Sequence, residues 1–157
     1  MNEQEIASLW ERAMAAEQRE DWEKARRLYG KVAKAVPGHA GTFQRLGLIA
    51  IREGRPGEAQ KHFERSLAID PADPVCLNNL GNVLREQGRL VQAASAYRKA
   101  LGAKPEYPSA LYNLAGTLSI LGEHAQAAQA YRELLRFVPG DAEAWNALGM
   151  ALLEGGD

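Results

Sequence analysis

Apolar residues return every three or four positions along the chain, in blocks that glycine or proline interrupts at regular intervals. In LNNLGNVLREQG, residues 77 to 88, Leu77, Leu80 and Leu84 fall on one face of a helix at about 100° per residue, and Gly88 ends it. The same stretch holds three asparagines and an internal glycine. Each costs a helix interior roughly 0.5 to 1 kcal/mol relative to alanine. Something other than helix propensity selects them.

The interruptions have a fixed period. Pro37, Pro71, Pro105 and Pro139 are separated by 34 residues, and the same spacing relates Ala25, Ala59, Ala93 and Ala127. It also relates the aromatics Tyr29, Phe63, Tyr97 and Tyr131, and the glycines Gly54, Gly88, Gly122 and Gly156. Two further columns run through five copies: Leu9, Phe43, Leu77, Leu111 and Trp145, then the small residues Ala13, Gly47, Gly81, Ala115 and Gly149. The glycine closes a first helix and the proline a second, so each period is a helical hairpin. Small residues such as Gly81, Ala93 and Ala100 let the two helices of a hairpin approach closely. Gly81 is therefore selected for packing.

These columns resemble the tetratricopeptide repeat, with WNALGMAL and LNNLGNVL matching its first half and ASAY, AQAY and ARRLY its second. The resemblance covers essentially the whole chain. It implies an all-α fold, a right-handed α–α superhelix of stacked hairpins forming one domain over residues 1–157. Full repeats are expected at 6–39, 40–73, 74–107 and 108–141, with a lone first helix in the partial repeat 142–157. The first repeat departs from the pattern, with Arg12 in place of a leucine and Glu20 in place of the hairpin glycine. Such atypical end repeats are expected of a capped array.

Composition narrows the function. Charged residues make up 25%, hydrophobic ones 46%, and the net charge is -1, so a nucleic-acid partner is not expected. The start MNEQEIASLW is acidic where a secretory leader would be basic, and no apolar run is long enough for a membrane span. No membrane partner is expected. A lone cysteine, Cys76, suits a reducing cytoplasm and reads as a small buried hydrophobe. His39, His62 and His124 have no second ligand at helical spacing, and no phosphate-cradling loop or nucleophile motif is present. Neither a catalytic centre, a metal nor a cofactor is expected.

Chemistry then concentrates on the helix face left over by packing. In tetratricopeptide arrays the first helices line the concave side, which implies a groove lined by Trp10 and Met14, Gln44 and Leu48, Asn78, Asn82 and Arg85, Tyr112 and Asn113, and Asn146. Its N-terminal end is apolar and its middle rich in amides. An amide both donates and accepts hydrogen bonds, so it can hold peptide backbone without demanding a sequence. Asn78, Asn82, Asn113 and Asn146 look similar to the asparagine ladder of the O-GlcNAc transferase superhelix. A clamp for the carboxylate tail of heat-shock chaperones is not expected, because Asn78 and Glu143 stand where lysines are needed and Ala147 where an arginine is.

The expected function is a noncatalytic scaffold that binds a protein or peptide segment in this groove. The alternative is an N-terminal substrate-recruiting segment of a larger enzyme, such as a glycosyltransferase or sulfotransferase. Trp145, Leu148 and Leu152 form an apolar stripe on the last helix, from which self-association is also expected.

Overall fold

Breakers and caps set the boundaries of every element in the computed structural model, which describes residues 1–156. Among the described residues there are nine helices and no strand: α1 (Glu3–Gln18), α2 (Trp22–Ala35), α3 (Ala40–Arg52), α4 (Pro56–Ile69), α5 (Pro74–Glu86), α6 (Leu90–Ala103), α7 (Pro108–Ile120), α8 (His124–Phe137) and α9 (Ala142–Gly155). Proline stands in the first turn of α4, α5 and α7, where its missing N–H costs nothing. Asp21, Asp73 and Asp141 accept hydrogen bonds from the first-turn N–H groups of α2, α5 and α9. Asn2 and Glu5 cap α1 reciprocally, which starts that helix ahead of the repeat boundary expected at residue 6.

Inside each hairpin the chain turns through a left-handed residue. Gly54, Gly88 and Gly122 have φ of 70°, 74° and 77°. At the fourth equivalent position Glu20 adopts φ 58° despite its side chain. The bond that such a helix end requires still forms there, from Asp21 N–H to the Ala16 carbonyl at 2.9 Å. It matches Arg55 to Ala50, Arg89 to Leu84 and Glu123 to Leu118. Pro37, Pro71, Pro105 and Pro139 each follow the C-cap of a second helix, whose φ lies between -125° and -140° as the residue before proline prefers.

The helices gather into two compact units, residues 1–71 with α1 to α4, and residues 72 onward with α5 to α9. In the first, Ala13, Leu28, Tyr29, Leu46 and Ile49 form the core; in the second, Leu84, Tyr97, Leu111, Leu114, Leu118, Tyr131 and Leu134 do. The ring of Phe63 lies directly on Gly47 and that of Tyr97 on Gly81, where an added Cβ would come within 2.6 and 2.5 Å of the ring. This close approach is the packing reason for glycine inside α3 and α5. The seam residues Thr42, Cys76, Ala110 and Ala144 are fully buried, and Cys76 is in no disulfide.

Candidate peptide-binding troughs

In the first unit, α1 presents Trp10 and Met14 one turn apart, and they open onto different spaces. Trp10 meets the rings of Tyr29 and His39 edge-on, each with centroids 5.0 Å away. With Ile6, Val32 and Val36 it lines an open cavity of about 380 Å³. His39 is held by a 2.7 Å hydrogen bond to the Thr42 hydroxyl. Met14 instead joins Trp22, Gln18, Glu17 and Arg45 around a second hollow. The Tyr29 hydroxyl donates to Glu17 at 2.9 Å, and Arg45 donates to the other Glu17 oxygen at 3.2 Å. Burial and the neighbouring Glu17 carboxylate push the Tyr29 phenol well above its ordinary range. Gln44 and Leu48 are half-buried on α3.

The second unit brings amides where the first has an indole. Asn113 Nδ2 donates to Asn78 Oδ1 at 3.0 Å, which ties α7 to α5. Asn78 also hydrogen-bonds Tyr107 and is only 5% exposed. The expectation that Asn78 grips a ligand meets a physical obstacle: it is sealed beneath its neighbours and already engaged. Asn82 is half-buried, and its Oδ1 accepts from the Tyr97 hydroxyl at 2.7 Å, leaving its Nδ2 protons as donors. Burial raises the Tyr97 phenol to about 12.

Tyr112 is 38% exposed and stands edge-on to Tyr131, with centroids 6.2 Å apart. Burial, then the neighbouring Tyr112, raises the Tyr131 phenol, and Arg85 is near enough to both Tyr97 and Tyr131 to offset their shifts in part. Tyr112 and Asn113 share a hollow of about 350 Å³ with Ser109, Leu134, Val138 and Asp141. Asn146 is exposed on α9 and does not line it.

Sequence reasoning missed Ile6, Val32, Val36 and His39 beside Trp10, and Leu134, Val138 and Asp141 beside Tyr112. Most of them lie on second helices or connections, whereas the groove was sought on first helices alone. The signal was nevertheless in the register, because Ile6, Trp10, Val32 and Val36 precede Pro108, Tyr112, Leu134 and Val138 by three periods of 34 residues.

On the last helix, Leu148 is buried at 6% exposure, so the open apolar stripe is not the one expected. Trp145, Met150 and Leu153 are the exposed large apolar residues of α9, and the Trp145 indole N–H donates to the Pro139 carbonyl at 2.9 Å. Among the described residues no group of histidine, cysteine and carboxylate side chains could hold a metal ion. No helix there is long and apolar enough to cross a membrane.

Three family models described as tetratricopeptide repeat match residues 7–39, 42–106, and 78–142 with 121–157. No curated protein matches the chain. Similar solved structures include MamA, at a TM-score of 0.90 and 24% identity over 96% of this chain and 82% of that one. Another is YrrB, described as a tetratricopeptide protein with an unusual peptide-binding site, at 0.83 and 19% over 92% of this chain and 75% of that one. A third is pilF of Pseudomonas aeruginosa, at 0.81 and 22% over 96% and 68%.

Proposed function

Because the chain belongs to the tetratricopeptide-repeat family, we propose that it is a noncatalytic interaction scaffold whose first helices hold an extended segment of another protein. The single observation that carries this reading is the state of the amides in the second unit. Asn82 and Asn113 each spend one side of the amide on the fold, Oδ1 in one case and Nδ2 in the other. What remains is a donor on α5 and an acceptor on α7, which is the complement of peptide backbone. Tyr112 adds an exposed aromatic face beside them, and Arg85 a cation. In this reading Asn78 orients Asn113 rather than touching the ligand.

The first unit, taken by itself, offers apolar side-chain recognition at Trp10 and at Met14 on α1, with Gln44 and Leu48 half-buried on α3. Holding these groups on packed helices lowers the ordering cost of binding on the scaffold's side. Selection from a random peptide library tests the proposal. Peptides enriched on the wild type should lose at least tenfold in affinity on an Asn82→Asp variant, which keeps an acceptor for the Tyr97 hydroxyl and removes the Nδ2 donor. Equal affinity for the two proteins removes the amide grip.

A further inference from the structure

One column of first-helix residues is matched to the ring of the second helix in every hairpin but the third. Glu17, Ile51, Arg85 and Ser119 recur at 34 residues, each twelve residues before Tyr29, Phe63, Tyr97 or Tyr131. Glu17 accepts from the Tyr29 hydroxyl at 2.9 Å, and Ser119 hydrogen-bonds the Tyr131 phenol. Apolar Ile51 goes with Phe63, a ring without a hydroxyl. In the third hairpin the Tyr97 hydroxyl turns to Asn82 instead, at 2.7 Å, and Arg85 takes no part.

The first unit shows how a charge at this place is satisfied. Glu17 receives a second donor, Arg45 at 3.2 Å, so carboxylate and guanidinium close on each other inside that unit. Two periods of 34 residues later the same two places hold Arg85 and Asn113. The first member has changed sign and the second is neutral, and Asn113 is already committed to Asn78. Among the described residues no hydrogen bond or ion pair reaches Arg85, although it is half-buried. Against the rise that burial imposes on the Tyr97 and Tyr131 phenols, its positive charge acts to lower both, which places the guanidinium near these two rings. Glu86 also acts on Tyr97, but it is exposed and makes no ion pair with Arg85.

We propose that the segment held by the second unit carries an aspartate or glutamate whose side-chain carboxylate seats on Arg85, as Glu17 seats on Arg45 in the first unit. This rests on the amide trough proposed above and adds to it the charge of the ligand. Asn82 lies one turn before Arg85 on α5, so amide and cation meet the ligand at neighbouring positions. The amide takes backbone, and the guanidinium offers parallel N–H donors to both carboxylate oxygens. An amide trough alone accepts any sequence, and Arg85 makes it prefer an acidic one.

The probes are random dodecapeptides displayed with both ends blocked and selected on the full chain; enriched peptides are then made acetylated and amidated. An aspartate or glutamate should recur at one fixed position. Replacing it by asparagine or glutamine should weaken binding about tenfold, and Arg85→Gln in the protein should weaken the acidic peptide equally. Both changes together should cost no more than either alone, because they remove one contact. Arg85→Glu should bind the corresponding lysine peptide better than the acidic one. The peptide substitution leaves the protein untouched, so it decides the matter even where an Arg85 variant melts early. The proposal is overturned, with the amide grip left standing, if Asn82→Asp weakens binding but no acid recurs, its removal costs nothing, or the two losses add. Acid-dependent binders recovered only from a library with free C-termini overturn it too, since the carboxylate is then a chain end's. Should Asn82→Asp leave every selected peptide's affinity unchanged, the trough reading fails and the proposal with it.

Discussion

The hollow beside Trp10 in the first unit and the hollow beside Tyr112 in the second are built at the same repeat positions, yet they offer different chemistry. Both keep an aliphatic wall, Val32 and Val36 in one and Leu134 and Val138 in the other; around Trp10 it is joined by Ile6, His39, Glu3 and Glu11, around Tyr112 by Pro108, Ser109, Asn113 and Asp141. The columns that make the hairpins are kept in both units; of those that face the hollows, the aliphatic pairs Val32 and Leu134, Val36 and Val138 are kept, and Ile6 and Pro108, Trp10 and Tyr112 differ. Hairpin packing and the variable walls of the hollows thus fall on separate positions of the same helices. A substitution can be assigned to one or the other before it is made.

Truncating the two aromatics should separate the units most clearly. Trp10→Ala removes a ring packed on Tyr29 and His39 and should destabilise the first unit by about 2 kcal/mol, less than a fully buried tryptophan because one side is open. Tyr112→Ala, at the equivalent position, should cost less, about 1 kcal/mol, since Tyr112 keeps 38% of its surface in solvent and meets one ring, Tyr131, where Trp10 meets two. Denaturant melts followed by tryptophan fluorescence and circular dichroism compare the two. Equal losses would mean that position does the same packing work in both units.

The glycine column gives the next contrast. Gly81→Ala drives a Cβ into the Tyr97 ring and should destabilise by about 1 to 3 kcal/mol. At Gly149 the same change meets empty space and should stabilise α9 by up to about 1 kcal/mol through helix propensity. Thermal melts of the two variants should move in opposite directions.

A smaller effect is expected from the amides. Asn78→Ala removes a nearly buried side chain and the hydrogen bond that ties α7 to α5, and should cost about 1 to 2 kcal/mol, whereas Asn146→Ala on the open face of α9 should lie within about 0.5 kcal/mol of the wild type. If Asn78→Ala melted normally and lost only ligand, Asn78 would belong with recognition after all.

Smallest of all, Glu20→Gly relieves a left-handed backbone that the other hairpins give to glycine, and should gain about 0.5 kcal/mol after the added freedom of the unfolded chain is counted. Gly88→Glu, the reverse exchange in the second unit, should lose a similar amount or more. Differential scanning calorimetry resolves both signs.

The architecture was legible because the repeat writes it several times. Any one copy of the proline, glycine or aromatic column could be accidental, and their common period could not. The hydrogen-bonding state of the candidate site residues was not legible, for a physical reason. Sequence period places Asn78 and Asn82 on one helix face, but whether an amide on that face is free depends on its neighbours in the next helices. Asn113 reaches back from α7 to engage Asn78, and the Tyr97 hydroxyl from α6 engages Asn82. The expected stripe on α9 failed at Leu148 for a similar reason. The position belongs to a column that stays buried at 6% exposure even though the outer face of α9 is open.

The most direct test of the central claim is a ¹⁵N NMR titration of the full chain with a library-selected peptide, reading the side-chain amide signals of the asparagines. The account predicts saturating shifts at the Nδ2 groups of Asn82 and Asn113 with one common dissociation constant, while Asn146 stays in place. Shifts confined to the second helices α6 and α8, with Asn82 and Asn113 unmoved at saturation, would contradict it.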